Sequence, residues 1–96
     1  MPLNKEGFPK CQIFDIPTPE GIVSCVVRMI ESSNIKWIGW PEKGGQPLMF
    51  VEFADGARYV YIGVKRQKAV AAAYAESSGV YLNKEIKPNY EVFKLR

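Results

Sequence analysis

Apolar and polar residues alternate along most of this chain, and the alternation breaks where Gly, Pro or a run of small residues intervenes. A period of two marks a strand with one buried face. The first such segment, "CQIFDIP" at residues 11–17, ends at Pro17 and is expected at a sheet edge, because Pro cannot donate to a strand ladder. "TPEG" then turns the chain, or starts a helix with Thr18 as its cap and Pro19 in the first turn. The next residues, "IVSCVVRMI", are rich in β-branched side chains. Their alternating set Val23, Cys25, Val27 and Met29 favours strand over helix. "NIKWIGW" is a third alternating segment, and "EKGGQP" reads as a flexible connection.

The strongest local signal comes next. "LMFVEF" and "RYVYIGV" flank Ala54-Asp55-Gly56-Ala57, and Asp-Gly between alternating apolar runs predicts a hairpin with a two-residue type I′ loop. In that register Glu52 opposes Tyr59, Val51 opposes Val60, Phe50 opposes Tyr61 and Met49 opposes Ile62. Opposed residues share a face of the sheet. One face then carries Met49, Val51, Phe53, Val60 and Ile62; the other carries Leu48, Phe50, Glu52, Tyr59 and Tyr61. "KRQKAVAAAYAESSG" turns helical over about 66–77, with Val70, Ala73, Tyr74 and Ser77 on one face and Gly79 as its stop. A loop broken at Pro88 leads to a last strand from Tyr90 to Leu95. The predicted fold is α+β: a mostly antiparallel sheet around the Asp55-Gly56 hairpin, with one main helix. Residues 1–20 read as a loosely ordered N-terminal segment, its first ten residues a tail, and 21–96 as a single domain.

Composition narrows the function more than the fold. The chain has 96 residues, 47% of them apolar, which suits one globular core. No apolar run approaches the roughly 20 residues that span a bilayer, and the start lacks a signal-peptide core, so a soluble cytoplasmic protein is expected. The two cysteines, Cys11 and Cys25, read as two buried reduced thiols, or as a bridge if their segments lie side by side. There is no His, which removes the usual general base and the commonest metal ligand. The carboxylates are scattered, so neither an enzyme nor a metal or cofactor site is expected. Net charge is +3, but Lys65, Arg66 and Lys68 cluster, and Lys84, Lys87, Lys94 and Arg96 populate the C-terminal end. Such a footprint attracts phosphate, and also fits an ordinary solvated face.

Tyr59 and Tyr61, beside Phe50 in the predicted register, have two readings. They form a platform on which bases stack, with Lys65, Arg66 and Lys68 nearby for phosphate, or they are core residues under the helix. Glu52, opposite Tyr59, would repel a phosphate, and Arg58 starts on the other face. Ser77, Ser78 and Gly79 follow the predicted helix, where the dipole disfavours anions; a capped turn is the simpler reading. Asn83 suits a backbone hydrogen bond in the loop that follows. Trp37 and Trp40 fall on opposite sides of their strand, so at least one is core and the other is free for an interface.

Ser32-Ser33-Asn34-Ile35, Ile38-Gly39-Trp40, "FVEFADGARYVYIGV", and the spaced set Ala75, Ser77, Gly79, Tyr81, Asn83, Ile86 and Tyr90 together resemble the KTSC domain over about residues 29–92. The family takes its name from the C-terminal extension of some lysyl-tRNA synthetases and includes small stand-alone bacterial and phage proteins. Its central Tyr-x-Tyr falls on Tyr59 and Tyr61, its Ser-x-Gly on Ser77 and Gly79, and its late Asn and closing Tyr on Asn83 and Tyr90. The chain departs from it at Trp40-Pro41, where members commonly have an aromatic-Asp pair, and at Val64-Lys65, where they have Val-Pro. The resemblance implies RNA binding. The expectation is thus a non-enzymatic module for RNA or a nucleotide, built on Phe50, Tyr59, Tyr61, Lys65, Arg66, Lys68, Ser77, Gly79 and Asn83. A protein-interaction or inhibitor module is the alternative, phage-borne and aimed at a host enzyme or nucleotide signal. A homo-oligomer that buries the Tyr face is the third reading.

Overall fold

A computed structural model describes residues 11–43 and 46–96. The tail assigned to residues 1–10, and Gly44 and Gly45 of the Gly/Pro connection, lie outside the described residues. Six strands form one antiparallel sheet whose spatial order is the chain order: β1 (Cys11–Thr18), β2 (Gly21–Met29), β3 (Ile35–Pro41), β4 (Leu48–Phe53), β5 (Arg58–Ile62) and β6 (Glu91–Lys94). Helix α1 (Arg66–Tyr74) and the shorter α2 (Ser78–Tyr81) lie between β5 and β6, and α2 runs on into a π-helical turn over Leu82–Ile86. The fold is therefore α+β and dominated by sheet, and the alternating segments are its strands. Residues 11–18, part of the segment read as loosely ordered, are the edge strand β1.

The β4–β5 hairpin forms, but its register differs by one residue from the expected one. Glu52 opposes Arg58, Val51 opposes Tyr59, Phe50 opposes Val60 and Met49 opposes Tyr61. The loop has three residues, Ala54-Asp55-Gly56, closed by Phe53 N–H donating to Ala57 O at 2.8 Å and Gly56 N–H donating to Phe53 O at 2.9 Å. Only Gly56 takes a positive φ, +95°, while the Asp55 carboxylate accepts from Ala57 N–H at 3.0 Å. A type I′ loop needs two positive φ values; a three-residue loop needs one, and Gly supplies it. Because side chains alternate, that one-residue slip reassigns every facing pair. Phe50 and the tyrosines, expected on one face, are on opposite faces. Glu52 is likewise removed from beside Tyr59.

Each face has its own core. On the helix-bearing face Ile35, Ile38, Trp40, Met49, Val51 and Tyr61 are buried with Ala69, Ala72 and Ala73 of α1 and with Leu82 and Ile86. The buried α1 positions are 69, 72 and 73, not the expected set of Val70, Ala73, Tyr74 and Ser77; Tyr74 is exposed. On the other face Ile16, Cys25, Val27, Trp37, Phe50 and Val60 are buried, and among the described residues no helix packs above them. Sheet curl accounts for this. Gly21 and Ile22 at the β1–β2 turn line one groove with Phe93 and Leu95 at the opposite edge. In a flat sheet those edges would lie about 24 Å apart, five strand spacings of about 4.8 Å. The sheet is coiled, and this is its concave side. Gly39 permits the bend: a Cβ there would come within 2.8 Å of Val27 Cγ2 and 3.0 Å of Val26 O.

The two tryptophans do fall on opposite faces, and both are buried, which leaves neither free for an interface. Trp37 packs edge-on against Phe14, with ring centroids 5.6 Å apart, and carries the Arg58 guanidinium 5.2 Å from its ring. That guanidinium bonds the buried Glu52 carboxylate through Nε at 3.0 Å and Nη2 at 2.8 Å, and Arg96 and Lys36 also reach it. Both cysteines are free; Cys25 is buried, whereas Cys11 is half-buried. Their strands do lie side by side, but Cys11 opposes Arg28 and Cys25 opposes Phe14.

Candidate ligand-binding cleft

A cleft of about 760 Å³ opens on the helix-bearing face between the hairpin end of the sheet and the helical segment 78–87. Three parts of the chain build most of it, and Val92 of β6 completes the lining. The first is the turn before β3, where the Ser32 hydroxyl accepts from Asn34 N–H at 3.0 Å and Ile35 N–H at 3.2 Å and so fixes Ser33 and Asn34 at the rim. The second is the hairpin, tied to that turn by Ala54 N–H donating to Asn34 O at 2.8 Å. It contributes Phe53, Asp55, Tyr59 and Tyr61, and the Phe53 and Tyr59 rings meet edge to face at 5.6 Å. The third is the helical segment 78–87, which supplies Gly79, Leu82, Asn83 and Lys87.

The third wall corrects an expectation. Ser77, Ser78 and Gly79 do not close the main helix, which ends at Tyr74; they begin another. The Ser77 hydroxyl caps α2 by accepting from Val80 N–H at 3.3 Å, and the buried Ser78 hydroxyl donates to Ala72 O at 2.8 Å, pinning α2 to α1. The π turn, closed by Lys87 N–H donating to Leu82 O at 2.8 Å, sets Asn83 and Lys87 on the cleft side. The Arg28 guanidinium takes the place of a glycine stop for α1, donating to Ala73 O at 3.0 Å and lying 4.3 Å from the Tyr74 ring.

Of the residues singled out in the sequence, Tyr59, Tyr61, Gly79 and Asn83 come together here. Ser77 stands two positions from Gly79 as the helix cap. Phe50 is fully buried in the other core, and Lys65, Arg66 and Lys68 lie around the start of α1 and do not line the cleft. Arg66 donates to Pro41 O and Glu42 O, and Lys68 pairs with Glu85 at 3.3 Å. Tyr61 is only 3% exposed, so it is core at one end and cleft wall at the other. Burial, with the neighbouring Tyr59 adding to it, raises the Tyr61 phenol above its usual range and keeps it neutral. Asn34, Phe53, Asp55 and Lys87 also line the cleft. Lys87, with its Nζ 5.8 Å from the Phe53 ring, stood out in the sequence only as one of the C-terminal cations. Among the described residues no three Cys, Asp or Glu side chains gather as a metal site.

A family model for the KTSC domain matches residues 31–90. The chain belongs to the KTSC domain family. The matched span begins at the turn before β3 and ends at Tyr90, so it holds every cleft residue except Val92. It leaves out β1, β2 and β6, and with them much of the concave-side groove. The cleft is thus a property of the KTSC portion of the chain. No curated protein matches the chain.

Proposed function

We propose that this KTSC domain is a non-enzymatic binding module that takes a nucleotide, free or as one unit of an RNA, into the cleft. The supporting observation is convergence: separate pieces of the KTSC resemblance (Ser33-Asn34, Tyr59-x-Tyr61, Gly79 and Asn83) line one cavity. Its volume of about 760 Å³ lies within the usual range for small-ligand sites. The lining also suits a nucleotide. The Tyr59 and Phe53 rings offer aromatic surface to a base, the Asn34 and Asn83 amides and the Asp55 carboxylate offer donors and acceptors to its edge, and Lys87 is a cation for phosphate. Removal of Glu52 to the other face takes away the repulsion that the expected register placed beside Tyr59.

The test is calorimetric titration of the full chain with the four ribonucleoside 5′-monophosphates and with short single-stranded RNA. Asn83 and Lys87 are exposed, so Asn83→Ala and Lys87→Ala leave melting unchanged. Each weakens binding about tenfold, the scale of one hydrogen bond to a charged partner. Absence of binding by the native chain, or binding untouched by both changes, sinks the reading.

A protein-interaction or inhibitor module is the second reading. It draws on the concave-side groove of about 740 Å³, whose rim holds the exposed Ile22 and Phe93. A protein partner that co-purifies with the native chain and is lost on Ile22→Ser and Phe93→Ser would favour it.

A further inference from the structure

Two of the cations at residues 65–68, Lys65 and Lys68, are left unexplained by the cleft, and their charge does not serve the helix they begin. The first turn of α1 has no acidic residue, and the Lys65 side chain makes no capping hydrogen bond. Cations at a helix N-terminus run against its dipole, so this placement costs stability. Lys65 and Lys68 instead line a second depression of about 390 Å³, together with Gln67, Tyr81, Tyr90 and Gly63. Gly63 takes a φ of +92°, which favours glycine, and the Tyr90 ring packs beside it.

This depression adjoins the cleft. Three segments each contribute to both: Tyr61 to the cleft and Gly63 to the depression, Leu82 and Tyr81 likewise, and Val92 and Tyr90 likewise. Residues two apart on a strand are separated by about 6.7 Å, comparable with one nucleotide step of an extended strand. Along these segments the lining thus passes from one depression to the other over about one nucleotide step. One depression offers aromatic surface and amides, and its neighbour offers two lysines, an amide and two phenols.

Resting on the reading above, we propose that the Lys65–Lys68 depression holds the phosphate of the nucleotide next to the one in the cleft. The ligand is then single-stranded RNA at least two units long, not a free mononucleotide. Glu85 bonds Lys68 at 3.3 Å, but its side chain is half exposed. A phosphodiester therefore competes with it at the surface, and the other donors of the Lys68 ammonium stay available.

The experiment compares the four ribonucleoside 5′-monophosphates with the matching 5′-phosphorylated diribonucleotides, on the native chain and on a Lys65→Gln/Lys68→Gln variant. The native chain is expected to bind a dinucleotide about tenfold more tightly than the mononucleotide. The variant loses that gain and keeps mononucleotide affinity, and its salt slope falls by about 0.7 per phosphate contact removed. Heteronuclear NMR shifts from the dinucleotide should reach Tyr81 and Tyr90 as well as the cleft, and those from the mononucleotide should stop at the cleft. Equal affinity for both ligands, or equal loss of both in the variant, overturns the inference and leaves the cleft reading standing. If neither ligand binds, the cleft reading falls and this one with it.

Discussion

The two faces of the sheet reach burial by different means. The helix-bearing face is covered by a separate element, and Ala69, Ala72 and Ala73 let α1 approach closely. The concave face has no helix over it among the described residues: Trp37, Phe50 and Val27 are buried there with Ile16, Cys25 and Val60, and Gly39 lets β2 and β3 approach closely. A covering element has limits, and between the hairpin and the helical segment 78–87 the first face opens into a cleft lined by polar groups and aromatic edges. A coiled sheet has no such end. Among the described residues it opens along a groove between its outer strands, lined by aliphatic side chains with Phe50 and Phe93. A helix that covers only part of a sheet thus builds a site as well as a core.

If the concave face is a core in its own right, its largest member should carry the largest cost. Trp37→Ala is expected to destabilise the protein by about 3–5 kcal/mol in urea unfolding, since it removes a buried indole and the surface under Phe14 and Arg58. A loss below about 1 kcal/mol would mean that this face is a loosely covered surface, and the comparison would fail. Gly39→Ala probes the bend itself. Neither contact of the new methyl yields easily, one being a β-branched side chain and the other a backbone carbonyl. About 1–3 kcal/mol should be lost, read as a lower melting temperature with an unchanged far-ultraviolet spectrum. No change would place the curvature elsewhere than in the β2–β3 pair.

The thiols give the smallest and sharpest contrast. Burial, with Asp15 adding to it, pushes the Cys25 thiol from 9.0 up to about 12. Cys25 should therefore resist alkylation at pH 8 in the folded protein, while the half-buried Cys11 reacts. Because the folded state holds the Cys25 proton more tightly than the unfolded state, this contribution is intact below pH 9 and is lost as pH rises from 9 toward 12. A Cys25→Ala variant should show a flatter decline over that range in denaturant titrations. Equal labelling of both thiols at pH 8 would mean that the concave face admits solvent.

Much of this was legible in the residues. Alternation located the strands, Pro17 marked an edge, and Ala-rich composition located α1. The hairpin's position was legible but its register was not, because Asp-Gly is compatible with loops of two or three residues. The choice is made by tertiary packing, which puts Tyr61 with Met49 and Phe50 with Val60. The helical segment 78–86 was hidden for a local reason: Ser-Ser-Gly serves equally as an end or a beginning, and Ser77 uses its hydroxyl for the beginning. The cleft was half legible. Tyr59 and Tyr61 came from the alternation and, with Gly79 and Asn83, from the KTSC resemblance, whereas Lys87 reaches the site only through the π turn, a geometry with no sequence period of its own.

The strand order has a consequence in time as well as in space. Each step from β1 to β5 joins neighbours across a short connection, so those pairings close small loops and form early at low entropic cost. The step from β5 to β6 spans residues 63–90, and α1, α2 and the π turn all lie inside that one long closure. Two cleft walls belong to the early-forming meander and the third to the late closure. In native-state hydrogen exchange the amides of 78–87 should therefore open below the global unfolding energy while those of β3 and β4 hold to it. The cleft would be the last part of the molecule to assemble and the first to come apart.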